Sequence, residues 1–111
     1  MNSTLIDSRI ETFEPQGYVS AANATDFLTD LTTAIETRED CVLLVDMKEV
    51  EFLDSAGLMA LIKGFRLAQS LGKRLSLCSV APSVRMIFEL TQLDTVFEIF
   101  DNRETFETAI N

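Results

Sequence analysis

Cys41-Val42-Leu43-Leu44-Val45-Asp46 is an apolar run of strand length that ends in an acid. A strand with one face in water alternates apolar and polar residues; a strand covered on both faces does not. This run therefore belongs at the centre of a sheet with packing on either side. The segments around it alternate in type. Leu5, Ile6, Ile10 and Phe13 mark one extended stretch, Glu14-Pro15-Gln16-Gly17 a turn, and Tyr18-Val19 a short second strand. Ser20 is the expected N-cap of a first helix with Ala24, Phe27, Leu28, Leu31, Ala34 and Ile35 inward, stopping near Arg38-Glu39-Asp40. A second helix is expected from Ser55 to Leu71, with Leu58, Leu61, Ile62, Phe65 and Ala68 inward and Gly72 as its stop. Gly64 inside that helix signals a close contact on its side. Arg74–Val80 reads as a strand, and Pro82 opens a third helix with Val84, Ile87 and Phe88 inward. Met86, Leu90 and Leu93 widen its apolar stripe and predict burial on more than one side. Val96–Phe100 is a last strand. Asp101 or Asn102 caps a short final helix carrying Phe106, Ala109 and Ile110.

Strand-helix units repeated in this order make an α/β fold with a largely parallel sheet. The first two segments are expected to add an antiparallel edge. The prediction is a mixed four- to five-stranded, mostly parallel sheet with four α-helices, in one domain spanning 1–111.

Composition removes several function classes. The net charge is −9, which disfavours nucleic acid and anionic lipid and is compatible with a protein partner that presents a basic surface. No apolar run approaches the roughly 18 residues that span a membrane. The first residues carry no basic, signal-like segment, so a cytoplasmic protein is expected. Histidine is absent, so no Ser-His-Asp triad, Cys-His pair or His-ligated metal site can be built. No glycine-rich phosphate loop is present. Cys41 and Cys78 fall in apolar strand patterns and read as reduced core thiols. Neither a cofactor nor a metal is expected.

The stretch Val50-Glu51-Phe52-Leu53-Asp54-Ser55-Ala56-Gly57-Leu58 lies between the central strand and the second helix. Asp54-Ser55 should sit where a loop enters that helix. A helix start offers unpaired N–H groups and a partial positive charge, so a phosphate on an exposed hydroxyl there is tolerated. Either residue can equally serve as a plain N-cap. Asp54 has two readings, helix capping or orienting the Ser55 hydroxyl. Ala56 and Gly57 are small, which admits a partner's close approach or packs the helix start on the sheet. Met59 stands one turn beyond Ser55, and suits a partner contact or a half-buried place at the sheet edge.

Phe52-Leu53-Asp54-Ser55-Ala56-Gly57-Leu58, after Val42-Leu43-Leu44-Val45-Asp46, resembles the STAS domain of bacterial anti-sigma factor antagonists. The resemblance continues through Gly72-Lys73-Arg74-Leu75 and Val84-Arg85-Met86-Ile87-Phe88-Glu89-Leu90 to Leu93. One departure is Ser20, where the family usually has Asp before the first helix. The resemblance implies a non-enzymatic, partner-switching phosphoprotein of signal transduction and transcription regulation. Unphosphorylated, it binds an anti-sigma factor that is also a serine-protein kinase. Phosphorylation of Ser55 releases it, and a serine phosphatase restores the hydroxyl. Asp54, Ala56, Gly57, Leu58 and Met59 would form the phosphosite motif and partner contact. The alternative is a STAS scaffold module that regulates another target without a phosphorylation switch. An enzyme with Ser55 as nucleophile lacks a base, since no His exists and no Lys stands in the motif.

Overall fold

The computed structural model describes residues 10–37 and 42–110. The expected early part of the first strand, the end of the first helix at Arg38-Glu39-Asp40, and Cys41 lie outside the described residues. The elements in order are β1 (Ile10–Phe13), β2 (Gly17–Val19), α1 (Ala24–Thr37), β3 (Val42–Asp46), β4 (Val50–Leu53), α2 (Ser55–Ser70), β5 (Leu75–Cys78), α3 (Pro82–Leu90), a 3₁₀ turn (Leu93–Thr95), β6 (Glu98–Phe100) and α4 (Arg103–Ile110).

Four strands pair in the order β1-β3-β5-β6, and β2 and β4 form a separate two-stranded ribbon. β3 is central, as its apolar run requires. Its residues alternate between two cores. Leu43 and Val45 join a large cluster with Leu31, Ile35, Leu61, Leu77, Val84 and Phe88. Leu44 joins a smaller one with Ile10, Cys78 and Phe106. Thus α1, α2, α3 and the β2–β4 ribbon cover one face of the sheet, and α4 covers the other. The face that carries more helices holds most of the apolar burial and fixes where α2 starts.

Local chemistry explains the helix limits. Gly72, just past the C-cap Leu71, has φ +69°, a conformation that glycine adopts without strain. Pro82 lies in the first turn of α3. Asn102 caps α4, accepting at Oδ1 from the Thr105 N–H at 2.8 Å. Gly64 lets α1 approach closely: a Cβ there would stand 2.3 Å from Leu31 Cδ2, which would have to shift.

The structure departs from the sequence expectations at several points. β1 and β2 form no antiparallel edge, because β1 pairs parallel with β3 and β2 pairs parallel with β4. Val50–Leu53, just before Asp54-Ser55, forms a further strand that the expected element order does not contain. Ser20 does not cap α1 directly. A turn intervenes, and the carbonyl of Asn23 accepts the first helical bond, from the Phe27 N–H at 2.9 Å. Met86 and Leu90 are 59% and 79% exposed, because α3 buries only the Val84–Phe88 side against the core. Ala109 is exposed, Val96 and Phe97 precede the last strand, and Phe97 is buried between Phe65 and Phe88.

Candidate functional site

The site begins with Asp54, the residue between β4 and α2. Its backbone is extended, with φ −93° and ψ −173°, while its carbonyl accepts the first helical bond, from Leu58 N–H at 2.9 Å. That geometry defines an N-cap. Both carboxylate oxygens are occupied. Oδ1 accepts from the Gly57 N–H at 2.9 Å. Oδ2 accepts from the Ala21 N–H at 3.1 Å, across to the turn before α1. The Gly57 N–H, foremost, and also the Ala21 N–H favour the ionised form and hold the Asp54 carboxyl below the usual carboxylate range, against the opposing pull of burial. Of the two roles open to Asp54, the structure displays the capping one, and adds a bridge to the other helix.

Ser55 is the first residue of α2 and is exposed. Its hydroxyl has no hydrogen-bond partner among the described residues. The cap is Asp54's, so Ser55 stands exposed at a helix N-terminus without a capping role. Ala56 is partly buried. Gly57 is buried, and a Cβ on it would lie 2.4 Å from the Val19 carbonyl oxygen. The same carbonyl accepts from Asp54 N–H at 3.1 Å, so β2 lies directly against the helix start. Leu58 packs on the main core. Met59 is 49% exposed. With Ala21, Ala24, Ala56 and Lys63 it lines a shallow groove between α1 and α2. The motif thus divides: Asp54, Gly57 and Leu58 hold the helix start, while Ser55, Ala56 and Met59 face outward.

Ser20, at the position of the family's Asp, works locally. Its N–H donates to Asn23 Oδ1 at 2.8 Å, and its Oγ accepts from Ala22 N–H at 3.3 Å. Sequence reasoning missed the Tyr18–Phe52 pair. The two side chains are register partners across the ribbon, with ring centroids 6.3 Å apart, and both are exposed. The signal was a large aromatic residue in each of two short segments, Tyr18 in the second strand and Phe52 at the start of the motif. Among the described residues no group of three or more His, Cys, Asp or Glu could hold a metal ion, and no helix is long and apolar enough to cross a membrane.

A strand-capped helix with an outward serine at its first position, backed by glycine against a parallel ribbon, is a specific arrangement. The model of the STAS domain family matches residues 3–106. The chain belongs to the STAS domain family. Among curated relatives, this STAS domain is 29% identical over 99 residues to BtrV of Bordetella bronchiseptica, named as an anti-sigma factor antagonist; the match covers 86% of this chain and 84% of BtrV. Among solved structures, an anti-sigma factor antagonist from Mycobacterium paratuberculosis matches with a TM-score of 0.78 at 23% identity, covering 91% of this chain and 85% of the other. The phosphorylated form of the Bacillus cell fate determinant SpoIIAA matches with a TM-score of 0.66 at 16% identity over 91% of each chain. The mouse anion transporter Slc26a9 matches with a TM-score of 0.79 at 17% identity, over 91% of this chain and 18% of the transporter. These likenesses establish the STAS fold.

Proposed function

We propose that this STAS domain is an anti-sigma factor antagonist, a non-enzymatic regulator switched by phosphorylation of Ser55. Unmodified, it binds a cognate anti-sigma factor with serine kinase activity. Phosphorylated, it is released, and a serine phosphatase resets it. The observation that carries the reading is the division of labour at the helix start. Asp54 satisfies the cap, so the exposed Ser55 hydroxyl has no structural duty. Relatives named as anti-sigma factor antagonists support it, as does SpoIIAA, which has a phosphorylated form.

The physics of the switch is local. A phosphate on Ser55 adds about −1.5 to −2 charges. The helix start offsets part of this, by about 0.3–1 kcal/mol at an exposed site. The Asp54 carboxylate next door opposes it. The group lies outside both cores, so the fold survives. At an interface, an unpaired desolvated charge costs about 2–5 kcal/mol, roughly 30-fold to several thousand-fold in affinity. No large rearrangement is required.

The test is direct. The protein is incubated with ATP and each purified anti-sigma serine kinase of the source genome, then weighed intact. One kinase is expected to add a single phosphoryl group to the wild type and none to Ser55→Ala. Complete absence of phosphorylation would transfer the assignment to the scaffold reading.

A further inference from the structure

The β2–β4 ribbon carries a feature that the phosphosite alone does not use. Gly17 pairs with Val50, and the next residue, Tyr18, pairs with Phe52. Glu51 is therefore an extra residue in β4, a bulge. Bulges re-aim side chains and recur beside functional sites. Here the bulge turns both Glu51 and Phe52 outward between the buried Val50 and Leu53. Tyr18 is 61% and Phe52 42% exposed, on strands whose other apolar side chains, Val19, Val50 and Leu53, are all within the core. A paired aromatic surface left in water next to a helix start is a costly placement for folding alone, and aromatic side chains are the commonest interface anchors.

The pair adjoins the site. Phe52 is followed by Leu53 and Asp54, and Tyr18 leads through Val19 and Ser20 to Ala21, whose N–H is bound to Asp54. Its surroundings are acidic: Glu49 and Glu51 are exposed, and Lys48 is engaged with Glu14 and Asp46 at 3.8 and 3.7 Å. An aromatic face rimmed by carboxylates fits guanidinium groups, which stack on rings and pair with carboxylates at once. It repels a second copy of a chain with net charge −9.

We propose that Tyr18, Phe52 and Glu51 form the main docking surface for the anti-sigma kinase, which meets them with an arginine-bearing basic patch. The identity of the partner rests on the reading above; the chemistry of the surface does not. Docking at the ribbon holds the kinase over Ser55 and sets which kinase reads it.

The experiment measures affinity of each purified anti-sigma kinase of the source genome by calorimetry, at two salt concentrations, with phosphorylation followed separately by intact mass. Tyr18→Ser with Phe52→Ser is expected to weaken binding by roughly 30-fold or more, the scale of a lost hot spot. Tyr18→Phe and Phe52→Tyr are expected to retain affinity, which separates docking from folding. Glu51→Lys should slow association and reduce its salt dependence. Leu71→Ser, at the far end of α2, should leave affinity within about twofold, the range of a contact outside the interface. If a kinase binds and phosphorylates the double serine variant like wild type, the docking surface is refuted while the switch stands. If a kinase binds through the pair yet never phosphorylates Ser55, the docking surface stands and the switch falls. If no kinase binds, or sedimentation shows the pair buried between two copies, the inference is overturned.

Discussion

Replacing Gly57 by alanine adds one methyl group at the most crowded point of the site. The new Cβ would sit 2.4 Å from the Val19 carbonyl oxygen and 3.0 Å from its carbon. Ordinary van der Waals contact begins near 3.4 Å, so β2 and α2 must part by about 1 Å. The obstacle is backbone, which cannot rotate away as a side-chain end can. The same carbonyl accepts from Asp54 N–H at 3.1 Å, and a 1 Å shift lengthens that bond beyond use. Losing a backbone hydrogen bond costs about 0.5–1.5 kcal/mol, and overpacking costs about 1–3 kcal/mol. Alanine returns up to about 1 kcal/mol through helix propensity. With the full helix-propensity gain, the expected net loss is about 0.5–3.5 kcal/mol, or roughly 2–14 °C in Tm for a chain of this size. Urea unfolding at pH 7 measures it, with the slope of the transition unchanged. Gly64→Ala is the internal comparison. Its clash is with the tip of Leu31, which can turn, so it should lose less than Gly57→Ala. A Gly57→Ala protein as stable as wild type would refute the contact between β2 and the helix start, and with it the account of how Ser55 is presented.

The core predictions follow the same assay. Leu61→Ala and Phe88→Ala remove fully buried side chains and should each cost about 2–5 kcal/mol. Ser55→Ala should change stability by less than about 1 kcal/mol, because Asp54 provides the cap; a loss larger than that of Leu61→Ala would show Ser55 to be structural. Ser55→Asp should keep a native circular dichroism spectrum and weaken kinase binding less than phosphate does, having one charge against nearly two. Asp54 is ionised more easily when folded, so its contribution is complete above its unfolded pKa of about 4 and is lost as pH falls through the lower folded value. Wild type should therefore lose more stability between pH 5 and pH 3 (about the range where carboxylates titrate) than Asp54→Asn does, as read from urea midpoints. Equal losses would show that the Gly57 and Ala21 contacts do not favour the charged carboxylate.

The central strand was legible because burial on both faces leaves no room for polar alternation, and Val42–Asp46 shows none. α2 was legible from its stripe and from Gly72, whose positive φ is written into its residue type. β4 was not. Its bulge puts Val50 and Leu53 inward three positions apart, a spacing that matches neither a strand nor a loop rule. Parallel pairing of β1 and β2 depends on partners 30 or so residues away, and no local pattern records it. Met86 and Leu90 were misassigned because side-chain type reports what can be buried, not what another element reaches to cover. At the site, the residue types of Asp54 and Ser55 allowed either to be the cap. The bond from Gly57 N–H makes Asp54 the cap, and the bond from Ala21, outside the motif, commits its second oxygen.

That bond joins positions 33 apart in the chain. Closing a contact of such separation costs more chain entropy than closing a local turn, and such long-range contacts slow folding. Its neighbours Val19, Val50 and Leu53 are held by a core that includes Val84 and Phe88, far downstream. A chain emerging from the ribosome that has not reached Val84 contains every residue of the motif and lacks the support that sets it. Under the proposed function, a partner that reads the clasped helix start would count folded molecules only. Nascent, truncated or heat-unfolded copies carry the same serine without the fold that places it at a helix start, and under the proposed switch they would not titrate the signal.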